Sequence, residues 1–173
     1  MAGAHLVLVG LMGAGKTSVG RACAERLGRA FVDTDDVVVT HAGMPIDDIF
    51  RRSGEPYFRE IERTVIADVC AAPEPLVIAC GGGSVLDPEN RARLRASGVV
   101  VWLRAPASVL ATRVGDGSTR PLLRNDPAGA LARLEKLREP AYEAAAHASI
   151  DTETLDVPAV AELVLDAYEG VRA

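Results

Sequence analysis

At 173 residues the chain is most simply one domain, long enough to bury a substantial core, with 49% hydrophobic, 25% charged and only 4% aromatic residues. A formal net charge of −5 excludes general affinity for nucleic acid or for acidic membrane surfaces. Cys23, Cys70 and Cys80 are odd in number and lack C-x-x-C spacing, and His5, His41 and His147 are scattered; this excludes a disulfide framework and a His/Cys metal centre, and reduced thiols in a cytoplasmic protein are expected.

The first element is a buried parallel strand, Leu6–Val9. It is read as a strand, neither a leader nor a membrane span, because no apolar run approaches ~18 residues. Gly10-Leu11-Met12-Gly13-Ala14-Gly15-Lys16-Thr17 follows, and a helix begins near Lys16 with Val19, Ala22, Cys23 and Leu27 on one face. A strand at Ala30–Val32 leads into Asp33-Thr34-Asp35-Asp36. Residues 34–71 then hold two or more helices, beginning near Asp35 and Glu55, with no strand between them. The strand Leu76–Cys80 runs into Gly81-Gly82-Gly83. A helix near Pro88, a strand at Val99–Leu103 and a helix near Ala107 come next. Gly115–Pro127 is polar, contains Arg120 and Arg124, and reads as a mobile lid spanning about 113–127. A helix near Pro127, a strand at Ala148–Ile150 and a helix near Val157 complete the chain; Val160, Leu163, Val164, Ala167 and Tyr168 form the last apolar stripe. Alternating β and α units predict a three-layer α/β/α fold on a five-stranded parallel sheet, with ligands beyond the C-terminal strand ends.

Gly10–Thr17 fits G-x-x-x-x-G-K-[ST], the P-loop, and an accidental match is expected about once per thousand chains of this composition. Glycines let backbone N–H groups turn toward phosphate oxygens, and the following helix points its positive end at the same anion. Lys16, one of only two lysines, is placed on the β- and γ-phosphates, and the Thr17 hydroxyl on Mg²⁺. Gly13, Ala14, Gly15 and Ser18 complete the expected nucleotide contacts. The acidic partner that a P-loop needs is absent after Leu76–Cys80 and is found after Phe31-Val32 instead. Strand alternation would point Asp33 and Asp35 the same way, Asp33 toward the metal and Asp35 toward an acceptor hydroxyl. The alternative is an N-cap and first-turn acid cluster, most of all for Asp36. Three successive glycines at 81–83 fit a place where a ligand approaches bare backbone, or an ordinary turn. Arg59 and Arg138 suit either anion binding or exposed ion pairs such as Arg59 with Glu62. Arg120 suits a guanidinium brought over the γ-phosphate.

These pieces, together with Gly54-Glu55, Phe58-Arg59, Arg120-Pro121-Leu122-Leu123 and Arg138-Glu139-Pro140-Ala141-Tyr142, resemble the shikimate kinase family over nearly the whole chain. The resemblance implies a P-loop kinase that uses ATP and Mg²⁺ to phosphorylate the 3-hydroxyl of shikimate, on the route to chorismate. It implies a core of 1–33, 72–112 and 128–173 and a substrate-binding insert at about 34–71. It implies that Asp35 is the base, that Arg59, Gly82 and Arg138 hold the acid, and that Phe58 and Glu62 line its pocket with Ile46, Phe50, Pro121 and Leu122. Lys16 and Arg120 join Asp35 as catalytic groups, and Thr17 and Asp33 hold the metal. The arginine that some members set against adenine after the last strand is missing from Asp151–Leu155, so Arg113 is assigned to the base. A monomer without nucleic-acid or membrane partners is expected. The rival readings are a kinase of another small hydroxylated metabolite, such as gluconate, and a nucleotide-dependent regulatory domain.

Overall fold

The computed structural model describes residues 4–115, 121–123 and 125–173. Five strands, β1 (His5–Val9), β2 (Phe31–Asp33), β3 (Val77–Ala79), β4 (Gly98–Arg104) and β5 (Ala148–Asp151), form one sheet in the order β2-β3-β1-β4-β5. All four pairings are parallel, with Leu8 beside Ala79 and Val101, and Asp33 also beside Ala79. Residues 6–9, 77–79 and 99–103 are buried throughout. Continuous apolar runs are what a parallel sheet with both faces covered demands.

The helices are α1 (Lys16–Leu27), α2 (Thr34–Ala42), α3 (Ile46–Cys70), α4 (Pro88–Ser97), α5 (Ala107–Val114), α6 (Pro127–Ala145) and α7 (Val157–Arg172). α1 packs with α7, while α3, α4 and α6 pack in succession and α5 lies on α6, giving the expected three layers. None of the described helices is long and apolar enough to cross a membrane. Asp87, Asp126 and Asp156 cap α4, α6 and α7 by accepting from the backbone N–H groups of Glu89, Gly129 and Ala159.

Two expectations need correction. α3 begins at Ile46, well before Glu55, and breaks at Gly54, where φ is +80° and ψ 171°. Glu55 starts only its second segment; Pro56 falls in the first turn there, where a missing N–H costs little. The stripe of α7 is Val160, Ala161, Val164 and Tyr168, and Leu163 is 44% exposed. The lid reading rests on residues 116–120 and 124, which lie outside the described residues.

Two histidines tie the sheet to its connections. His5 Nδ1 accepts from Leu76 N at 3.0 Å, and His147 Nδ1 accepts from Val100 N at 3.0 Å. Burial holds both imidazoles below the usual histidine range, assisted by Arg29 at His5 and Arg95 at His147. The unfolded chain therefore takes up protons first, and this contribution to stability, complete above about pH 6.5, is lost as the pH falls through the folded-state values. The expected result is a Tm that drops between pH 7.5 and 5.5. The drop shrinks in the double variant His5→Asn, His147→Asn, whose amide oxygens accept the same N–H groups without titrating. An unchanged pH dependence in that variant would remove both histidines from the account.

Candidate active site

The C-terminal ends of β1, β2 and β3 meet at one edge of the sheet, and the functional side chains converge there on a cleft of about 540 Å³. At the end of β1 the chain must leave the sheet at once. Gly10 does so with φ +146°, and a Cβ there would sit 2.3 Å from the Leu103 carbonyl oxygen of β4. Gly15, at φ +92°, starts α1 with no side-chain cap, so the first-turn amides of this helix are left for an anion. Gly13, Gly15, Lys16, Thr17 and Ser18 line the cleft. Ala14 lies behind it, 2% exposed, with its N–H donated to Leu11 O at 3.2 Å. Lys16 Nζ reaches back to Gly10 O (2.7 Å) and Leu11 O (3.0 Å), which holds the ammonium over the loop.

Thr17 Oγ1 donates to Asp33 Oδ2 at 2.8 Å, joining the two residues assigned to the metal. The strand-alternation argument for the acids fails in detail. Asp33 is the N-cap of α2, its Oδ1 accepting from Asp35 N at 3.0 Å, and Asp35 belongs to the helix. Asp33 and Asp35 nevertheless line the same cleft, because a cap and the second residue of its helix both face the strand end. Asp36 is exposed at its margin.

Gly81, Gly82 and Gly83 serve the protein's own side chains. None of the three has positive φ. A Cβ on Gly81 would stand 2.7 Å from Asp35 Oδ1 and 3.0 Å from Glu62 Oε1; on Gly82, 3.0 Å from Arg138 Nη1; on Gly83, 2.5 Å from Arg59 Nη2. Side chains from α2, α3 and α6 thus close in on a turn that has none. The two arginines differ sharply. Arg59 is paired, donating to Glu62 Oε2 (2.7 Å) and Glu55 Oε1 (3.0 Å), and its guanidinium lies 5.1 Å from the Phe58 ring centre. Burial draws its pKa down, but the two carboxylates outweigh that and the net shift is upward. The exposed-pair reading of Arg59 is therefore half right: the i,i+3 pair with Glu62 exists, yet Glu62 is 2% exposed and its other oxygen accepts from Ser84 Oγ at 2.9 Å. Arg138 is itself only 2% exposed, and among the described residues its Nε and Nη1 have no hydrogen-bond partner.

Ile46, Phe50, Phe58 and Leu122 supply the apolar wall. Cys80 also lines the cleft; burial pushes its thiol well above the usual range, so it stays neutral and inert. Arg113 bridges the P-loop and the segment after β5: Nη1 donates to Thr152 Oγ1 (3.0 Å) and approaches Gly13 O (3.4 Å), while Nη2 donates to Thr152 O (2.7 Å). Arg120 and the Pro121 side chain lie outside what is described. Sequence reasoning missed Thr34 and Ser84, and quoted Tyr142 without a role. Thr34 is fully buried with Oγ1 accepting from Gly81 N at 3.0 Å, and the Tyr142 hydroxyl donates to Gly82 O at 2.5 Å. Only their place inside the D-T-D and R-x-P-x-Y strings could have drawn attention to Thr34 and Tyr142.

A family model described as shikimate kinase matches residues 12–169. The chain belongs to the shikimate kinase family. As a member it is an ATP-using kinase. The shikimate kinase of Symbiobacterium thermophilum is 48% identical over 168 residues, covering 95% of this chain and 96% of that protein. That of Nitrobacter winogradskyi is 47% identical over 159 residues, covering 91% and 72%. Among solved structures, shikimate kinase from Acinetobacter baumannii in complex with shikimate superposes with a TM-score of 0.92 at 37% identity, over 95% of this chain and 92% of that one.

Proposed function

We propose that the protein transfers the γ-phosphoryl group of ATP to the 3-hydroxyl of shikimate, releasing ADP and shikimate 3-phosphate for chorismate and aromatic amino acid synthesis. Arg138 carries this reading. A guanidinium that is 2% exposed and short of partners is costly until an anion completes it, and it stands in the same cleft as the P-loop. A compact carboxylate satisfies its planar donors, with the Gly82 amide beside Arg138 and Arg59 in the same cleft. Shikimate bound to the Acinetobacter relative supports the same acceptor here.

The P-loop amides and Lys16 hold the triphosphate, Lys16 exchanging the Gly10 and Leu11 carbonyls for phosphate oxygens. Thr17 and Asp33, already joined to each other, are the residues that would hold a Mg²⁺. When bound, that ion neutralises charge on the transferred group. Asp35 orients the acceptor hydroxyl and takes its proton, while Phe58 and Glu62 wall the acid in. Arg113, joined to the P-loop and to residues 152–153, is the residue assigned to the adenine in this reading. Segment 113–127 closes as a lid over the core of 1–33, 72–112 and 128–173, bringing Arg120 to the γ-phosphate and excluding water, and segment 34–71 forms the acceptor-binding insert. The working unit in this reading is a monomer. It acts in the cytoplasm on a small acid, without nucleic-acid or membrane partners.

The test is ADP release with and without shikimate, with gluconate as the control acceptor. Release that depends on shikimate and is negligible with gluconate is expected. Equal rates with gluconate, or no dependence on any acceptor, would overturn the assignment.

A further inference from the structure

The glycine turn lies at the centre of the acid-binding half of the cleft, yet a run of three glycines has no intrinsic rigidity. Four of its six backbone polar atoms are nevertheless committed. Gly81 N donates to Thr34 Oγ1 at 3.0 Å, Gly81 O accepts from Ser84 N at 3.0 Å, and Gly82 O accepts from the Tyr142 hydroxyl at 2.5 Å. Gly83 O accepts from Leu86 N at 3.1 Å, whereas the N–H groups of Gly82 and Gly83 find no acceptor among the described residues. Both outside groups are buried, Thr34 fully and Tyr142 at 1% exposure. Burial pushes the phenol up to about 12, so it stays protonated as a donor. Its ring stacks on Trp102 with centroids 5.5 Å apart, which fixes its direction.

From this we infer that Thr34 and Tyr142 are positioning residues for the acceptor acid, clamping the turn from opposite flanks so that the Gly82 N–H is held beside the Arg138 guanidinium. The geometry has an economical origin. Tyr142 lies four residues after Arg138 on α6 and so shares its face. One rigid helix therefore supplies the guanidinium and also anchors, through its carbonyl, the residue whose N–H complements it, 3.0 Å separating Arg138 Nη1 from the Cβ position of Gly82. Thr34, the first residue of α2, does the same for the Asp35 side, because the helix that carries the base also grips Gly81. Acid and hydroxyl ends of the acceptor are thereby referred to one backbone turn.

This inference rests on the shikimate reading, and its test separates the two. The wild-type enzyme, Thr34→Val, Thr34→Ser and Tyr142→Phe are compared for KM toward shikimate and ATP, for kcat and for Tm. Thr34→Val and Tyr142→Phe each raise the shikimate KM about five- to tenfold, the loss of one hydrogen bond, while the ATP KM moves less than about twofold. Thr34→Ser, which keeps the hydroxyl, stays within about twofold of wild type for both substrates. A purely structural role would lower Tm and leave the two KM values in their original ratio, and that result overturns the inference; so does a serine variant that behaves like the valine one. If the wild type itself shows no shikimate-dependent turnover, the functional reading falls instead.

Discussion

Replacing Asp35 by Asn lowers kcat with shikimate by about two to four orders of magnitude, the usual contribution of a positioned general base, and leaves ATP affinity within about twofold of wild type. The substitution is nearly isosteric, so α2 and its Asp33 cap persist, and what disappears is the negative charge and the ability to take a proton. The phosphate-binding groups are untouched, because they belong to the loop after β1 and to the first turn of α1. Asp35 instead stands over Gly81, on the side of the cleft shared with Glu62. Steady-state kinetics beside a direct nucleotide-binding measurement separates the effects. Turnover within about twofold of wild type would end the assignment of Asp35 as base, whatever happened to the acceptor KM.

How far such a site can be read from sequence depends on whether neighbours along the chain or across the fold decide each residue's environment. The P-loop is a local object. Its glycines, lysine and threonine are fixed by one strand-to-helix turn, and the string alone carries that geometry. β1, β3 and β4 were legible because they are short, continuous apolar runs bounded by turn residues and alternating with helical patterns. Asp33 and Asp35 were rightly placed at the cleft for a partly wrong reason: β2 ends at Asp33, Thr34 is already helical where alternation needed extended chain to Asp35, and the cap of α2 does the aligning. The Gly54 break was invisible to a reading in which helical pattern begins at Glu55, although Pro45 followed by Asp47 and Asp48 signals the earlier start. The glycine run was harder still. Its meaning depends on Arg59, Glu62 and Arg138, which arrive from two other helices.

The largest gap between local pattern and fold falls on α6. Hydropathy would turn Leu137 inward and Arg138 outward; Leu137 is 65% exposed and Arg138 is 2% exposed. This inversion has a measurable consequence. Replacing Arg138 by Met, similar in reach and apolar, removes a buried charge that has incomplete partners, so folding stability holds or rises while the shikimate KM increases about a hundredfold. Arg59 behaves oppositely. Its guanidinium neutralises the buried Glu62 carboxylate, and Arg59→Ala strands that charge, lowering stability by about 1–3 kcal/mol after allowance for the partial exposure of the pair. The two variants therefore separate on a plot of Tm against acceptor KM, with Arg138→Met losing binding at constant Tm and Arg59→Ala losing Tm as well. Thermal melts without ligand and KM measurements at saturating ATP provide both axes. An Arg138→Met protein that melts lower and binds shikimate as wild type would show that the guanidinium is held for packing. The cleft would then lack the anion-hungry group on which the choice of acceptor depends.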